Sequence, residues 1–313
     1  MTVERKRGGL GIKWLIVGIP MWLALSGGVG LWLHFRQQER EKQDHKHAYR
    51  KDIDAKSLGD DFSKIMDVIG PRHDDLDASR LSLWRMASMI EGAMGLNNIG
   101  YEVTRAAGGE GDRMSAPVLM ADVLRRKTSQ EIWLIVPYDS PSALPRGQAT
   151  ASSVAVSLAA AQSLVGRKLE HNIRFLFVPA AHAGEGPRRE AAAQVKRLIA
   201  VQGSPRLALV IGSMLHEGKL SLISRQDGTS VVHQLRDLLS DADDAAICSR
   251  ENNEFSQLLA AMEIPSAHLC KRPESAMTAL QEDAMPAAKN VMARSAEELV
   301  SVLLRLGGEL QKN

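Results

Sequence analysis

Two cysteines in 313 residues are too few for a disulfide scaffold or a four-thiolate zinc site. Aromatic residues are scarce at 4%, and charge of either sign is not in excess: 39 Lys and Arg face 37 Asp and Glu, a net of +2. A nucleic-acid binder carries a stronger basic surplus, so that class drops out. No G-x-S-x-G segment is present to form a nucleophile elbow. Gly184-Glu185-Gly186-Pro187 lacks the Lys and Ser/Thr of a phosphate-binding loop. No internal repeat and no Pro/Gly/Ser-rich linker interrupts residues 57–313. What remains is 44% apolar and 24% charged, the balance of a globular chain, in which residues 57–313 read as one domain.

The few aromatics are unevenly placed. Three of the five Trp, at 14, 22 and 32, fall in the first 32 residues. Trp14 to Leu33 is uncharged throughout, and at about 1.5 Å per residue this run matches the hydrocarbon core of a bilayer. Its terminal indoles suit the two interfaces. Residues 14–35 are therefore expected to form a single transmembrane helix in contact with the lipid bilayer, after a short basic arm over 1–13. Basic residues flank it on both sides, at Arg5, Lys6, Arg7 and Lys13 and at Arg36, Arg40, Lys42 and Lys46. The short arm and the large C-terminal part favour a cytoplasmic N-terminus and a domain outside the cytoplasm. The competing reading is a cleaved signal peptide, with Ala24-Leu25-Ser26 as the cleavage site. Residues 36–56 read as a charged, helical juxtamembrane stalk, one possible seat of homo-oligomerisation. His45 and His47 lie there with nothing nearby to complete a metal site. Residues 1–50 hold nine basic and four acidic side chains, a charge of +5, which leaves −3 for the rest.

Beyond the stalk, two periodicities alternate. Helical spacing covers 58–69, ended by Gly70-Pro71, and continues at 77–94, 149–164, 187–201, 230–239, 254–262 and 295–310. Strand-like runs cover 101–104, 118–124, 132–136, 173–178, 207–211, 220–224, 245–248 and 266–270. Ile132-Trp133-Leu134-Ile135-Val136 has no polar alternation, so it is expected in the sheet interior with both faces buried. Alternation of this kind predicts an α/β domain with a mostly parallel, twisted sheet and helices on both faces. In such a sheet ligands bind beyond the carboxyl ends of the strands, which points to the loops after Val136, Val178 and Ile211.

Those loops carry a resemblance. Ile69-Gly70-Pro71-Arg72, Ile99-Gly100-Tyr101-Glu102-Val103 and Ile135-Val136-Pro137-Tyr138-Asp139-Ser140 occur in that order. Ala151-Ser152-Ser153-Val154-Ala155, the run Phe175 to Gly184, and Phe255 to Leu269 with Ile264-Pro265 inside follow them. The ordered set resembles the di-zinc aminopeptidase family, whose relatives include glutaminyl cyclases, glutamate carboxypeptidases and the transferrin-receptor ectodomain. The similarity covers about residues 57–310. It implies two zinc ions held by His and carboxylates, a bridging Asp and water, and a Glu as general base.

Measured against that family pattern, most functional positions are replaced. Pro137 stands at the first His position and Ala149 or Thr150 near the bridging Asp. Ala181 stands at the general-base Glu, His182 at the adjacent ligand Glu, and Ser213 near a further Asp ligand. No His occurs between Lys271 and Asn313, where the last ligand is expected. Asp139 is retained, and in the family that residue orients a ligand without binding metal itself. The leading expectation is a domain without catalytic residues and without a cofactor, acting as a binding or scaffolding module. Its partner would be a protein or peptide, either another membrane subunit or a peptide held in the vestigial cleft. The alternative is an active hydrolase or cyclase whose rearranged metal site uses Asp139, His182 and His216. Ser152 and Ser153 are candidate nucleophiles, set against the commoner role of helix-start serines as caps. Cys248 and Cys270 read as buried thiols, or as a bridge in an oxidising compartment. Arg188-Arg189 reads as a solvated or partner-facing pair.

Overall fold

The structure is a computed structural model that describes residues 21–22, 25–32, 34–35, 51–73, 77–106, 116–124, 131–141, 144–218, 220–223, 254–271 and 285–308. The chain divides into two compact units, Met1–Ala48 and Tyr49–Asn313. In the first unit, residues 21–22, 25–32 and 34–35 are helical and exposed. No helix among the described residues is long and apolar enough to cross a membrane. Residues 14–20 and 36–50 lie outside the described residues, and so do the helix expected at 230–239, the strand at 245–248 and Cys248.

The second unit opens with α1 (Ala55–Ser63), whose first turn is closed by Asp54: Ser57 N–H donates to its carboxylate at 2.8 Å. A π-helical turn, Lys64–Ile69, continues it and ends at Gly70, where φ is 75° and only glycine is unstrained. Then follow α2 (Asp77–Met94), β1 (Val103–Ala106), β2 (Val118–Asp122), β3 (Glu131–Pro137), α3 (Leu144–Leu164) and β4 (Asn172–Val178). The chain continues through α4 (Glu185–Gln202), β5 (Leu207–Ile211), β6 (Ser221–Ile223), α5 (Glu254–Ala261), β7 (Ser266–Cys270) and α6 (Met285–Leu306). Helix α4 starts behind Gly184, with Pro187 in its first turn, where a missing N–H costs nothing.

The sheet has the order β1-β2-β4-β3-β5-β7-β6. Strand β3 lies parallel to β4 and β5, and β5 parallel to β7. The pairs β1–β2, β2–β4 and β6–β7 are antiparallel. The expectation of a mostly parallel sheet is thus corrected to a mixed one: a parallel centre with antiparallel edges. The reason lies in connection length. A parallel return needs a crossover of a dozen or more residues. The links β1 to β2, β2 to β3 and β5 to β6 are each shorter than that, so the chain reverses direction at each.

Burial alternates along the central strands. Ile132, Leu134 and Val136 of β3 face one core together with Phe175 and Phe177 of β4 and Leu209 of β5. That core is covered by α1, α2, α3 and α6 through residues such as Phe62, Met86, Val154 and Leu299. Trp133 and Ile135 face the other side, where Val195 of α4 and Phe255 and Leu259 of α5 cover them. Helices therefore cover both faces, and all of β3 is buried.

Candidate functional site at the carboxyl edge of the sheet

The link leaving β3 leads to β4, and the one leaving β5 leads away toward β7, so the strand order reverses between β3 and β5. A crevice at such a reversal is where α/β sheets bind ligands. Pro137 ends β3 in register with Val178 of β4. Two residues on, Asp139 is 2% exposed. Its Oδ2 accepts the backbone N–H of His182 at 2.7 Å. Asp139 therefore joins the loop after β3 to the loop after β4, a longer reach than the local turn cap that a post-strand Asp often makes. The receiving turn is tight, with Ala180 at φ of 60°. Burial raises the Asp139 carboxyl above its ordinary 3.8, while His182 and the neighbouring backbone amides pull it down. Its Oδ1 accepts no hydrogen bond among the described residues.

Arg72 is a second buried charge here, at 1% exposure. Its Nε donates to Tyr138 O at 3.0 Å and its Nη1 to Gly70 O at 2.9 Å and Ile65 O at 3.3 Å. Its Nη2 reaches Thr150 Oγ1 at 3.2 Å and Gly147 O at 3.4 Å. Burial lowers the guanidinium from its ordinary value to about 10, with the charge of Asp139 opposing the shift. One side chain thus ties the π-helical turn to the end of β3 and the start of α3. Sequence reasoning quoted Arg72 in a motif but gave it no role. The usable signal was an Arg directly after a Gly-Pro break at the end of an apolar helix.

The remaining predicted positions lie along the same edge. Thr150 is buried, and its hydroxyl donates to Gly147 O at 3.1 Å besides accepting from Arg72. Ala149 and Ala181 are buried. Ser152 Oγ donates to Ala149 O at 2.7 Å and accepts Met214 N–H at 3.0 Å, which ties α3 to the loop after β5. Ser153 Oγ donates to Thr150 O at 2.8 Å. Both serines are enclosed and bonded back along α3, so neither is presented as a nucleophile. Ser213 is 1% exposed, and its Oγ has no hydrogen-bond partner among the described residues. Its carbonyl accepts Lys271 N–H at 2.8 Å, and Ser295 of α6 donates to Met214 O at 3.1 Å. Lys271 Nζ bonds Gly218 O at 2.7 Å and also pairs with Glu298. Asp139 and His182 are thus in contact, and Ser213 belongs to a separate set of bonds on the neighbouring strand. Among the described residues no cluster of three or more His, Cys, Asp and Glu side chains is placed to hold a metal ion. Cys270 is a buried thiol at the end of β7. Arg189 makes an exposed i,i+4 pair with Glu185 at 2.5 Å. A cavity of about 510 Å³ sits elsewhere, among Asp61, Lys64, Met89 and Gly92, and none of the predicted site residues lines it.

No protein-family model and no curated protein sequence matches the chain. Solved structures do match it in shape. The Legionella pneumophila LapA aminopeptidase superimposes with a TM-score of 0.64 at 12% identity, over 86% of this chain and 75% of that one. BSAP, a zinc aminopeptidase from Bacillus subtilis, gives 0.60 at 11% identity, over 83% and 97%. The Porphyromonas gingivalis glutaminyl cyclase gives 0.57 at 13% identity, over 81% and 99%. The chain has the aminopeptidase-like α/β fold.

Proposed function

We propose that this chain is a membrane-anchored, catalytically inactive member of the aminopeptidase-like fold, and that it serves as a binding or scaffolding module for a protein or peptide partner. The observation that carries this reading is the chemistry of the groups lining the carboxyl edge. Zinc takes thiolate, imidazole or carboxylate donors, about three of them plus a water in a catalytic site. Pro137 and Ala181 have no donor to give. The Thr150 hydroxyl is engaged by the Arg72 guanidinium, and Ser213 brings a neutral hydroxyl. Of these compared positions, Asp139 and His182 alone offer a donor, and the buried charge of Arg72 bears on that carboxylate. The donor set does not fit a zinc pair, and no carboxylate stands at position 181 to activate water.

Metal analysis of the purified protein, paired with hydrolysis of an aminoacyl anilide, tests this. The expected result is substoichiometric zinc and no hydrolysis above a buffer blank. Stoichiometric zinc with activity that disappears in Asp139→Asn would favour the rearranged-site reading instead, which draws on the Asp139–His182 contact.

A further inference from the structure

Resting on the inactive reading, we infer that direct hydrogen bonds between loops have taken over, at this edge, the cross-linking that a metal pair provides in a zinc enzyme. A bound metal does two things: it activates substrate, and it fastens together the loops that supply its ligands. Without it, loops after neighbouring strands rely on other bonds, beyond the ladder bonds at the strand ends themselves such as Tyr138 N–H to Val178 O at 3.0 Å. Here they are joined. His182 N–H donates to Asp139, linking the β4 loop to the β3 loop. Met214 N–H donates to Ser152 Oγ, linking the β5 loop to α3. Lys271 N–H donates to Ser213 O, linking the end of β7 to the β5 loop.

Burial gives these links their weight. Asp139, Ser152, Ser213 and Lys271 are each at most 6% exposed. Met214 and Lys271 are buried as donors too, and a buried donor that loses its acceptor keeps its full desolvation cost, so those two links hold more firmly than a surface bond. Two of the acceptors, Asp139 and Ser152, are side chains, so the links depend on sequence and not on backbone geometry alone. Ser152 is saturated in the process, donating to Ala149 O while accepting from Met214. Among these linking residues the side-chain oxygens left over are Ser213 Oγ and Asp139 Oδ1, one in the loop after β5 and one in the loop after β3. The edge is consequently closed by the protein itself and requires no ion to hold its shape.

The test is a thermal melt of the full chain in detergent, with and without a chelator and with added zinc. It is run for the wild type, Ser152→Ala and Ser157→Ala, with anilide hydrolysis recorded on the same samples. Ser157 lies further along α3, buried, with no hydrogen-bond partner among the described residues, so its truncation controls for the loss of a buried hydroxyl. Chelator and zinc are expected to move the wild-type midpoint by less than about 1 °C. Ser152→Ala is expected to lower it by roughly 2–8 °C, and Ser157→Ala to leave it in place. Hydrogen exchange of the Met214 amide in the wild type is expected to stay slow after chelation, a readout that survives if Ser152→Ala fails to fold. An equal effect of the two serine variants, or loss of Met214 protection on chelation, would overturn the inference and leave the inactive reading standing. A chelator-induced drop without hydrolysis does the same, whereas a drop together with lost hydrolysis sinks both.

Discussion

At the scale of single residues, Asp139 and Arg72 are two charges that the fold takes almost wholly out of water beside the candidate crevice. Their roles differ. Arg72 spreads its charge over carbonyls and one hydroxyl, whereas Asp139 has one oxygen bonded by the His182 amide and the other without a partner among the described residues. Burial raises the Asp139 carboxyl, so the native state holds this proton more tightly than the unfolded chain does. The sign follows. The contribution of this group to stability is fully present below the unfolded value of 3.8 and is lost as pH rises through the raised native value. Asp139→Asn removes the titration while keeping the shape and an acceptor for His182 N–H. In chemical denaturation at stepped pH, the stability of the wild type relative to Asp139→Asn should fall as pH climbs from below 3.8. A difference that is flat across that range would mean the carboxylate is better solvated than its burial indicates.

At the scale of elements, packing tolerance separates two glycines. Gly212 follows β5, and a Cβ there would come within 2.2 Å of His268 Nε2 and 2.9 Å of Cys270 Cβ. Gly92, inside α2, faces open space. Gly212→Ala should therefore destabilise the domain by about 1–3 kcal/mol through overpacking. Gly92→Ala should stabilise it by roughly 0.5–1 kcal/mol by restoring helix propensity. Urea midpoints for the two variants moving the same way would contradict the packing around β5 and β7. Much of this level was legible in the sequence. The bounds of α2 at Asp77 and Met94 and of β7 at Ser266 and Cys270 follow from their spacing and from the breaks beside them. Helix α6 starts at Met285, ten residues before the expected Ser295, because its first turns are only partly buried and show a weaker apolar period. Helix α3 starts at Leu144, ahead of the expected Ala149, since Pro145 in a first turn does not block a helix. The mixed strand directions could not be read from alternation, because periodicity records burial and not chain direction. The candidate positions were legible as strand ends and a helix start, Asp139 after β3 among them. The roles of Arg72 and Ser152 were not, since their partners lie 66 and 62 residues away in the chain.

At the scale of the whole molecule, the two units differ in what they show to solvent. In the second, the large apolar side chains are overwhelmingly in the two cores. In the first, Met21, Trp22, Leu25, Val29, Leu31, Trp32 and Phe35 are each more than half exposed along described helical residues. A helix apolar on all sides has no stable place in water and requires either protein or lipid around it. Our reading assigns lipid, with 14–35 as the span. The full-length chain should then sediment with membranes and resist extraction by alkaline carbonate, while residues 49–313 alone should stay soluble and melt at the same temperature. Intact mass separates the anchor from a cleaved signal peptide, since cleavage near Ser26 removes the first part of the run, Trp14 and Trp22 included. Protease added to sealed cells or vesicles then reports the side on which the domain lies. Digestion from outside is expected for a cytoplasmic N-terminus, and protection would reverse the orientation. Release of the intact chain by carbonate would remove the anchor altogether and require a protein surface to cover those seven side chains.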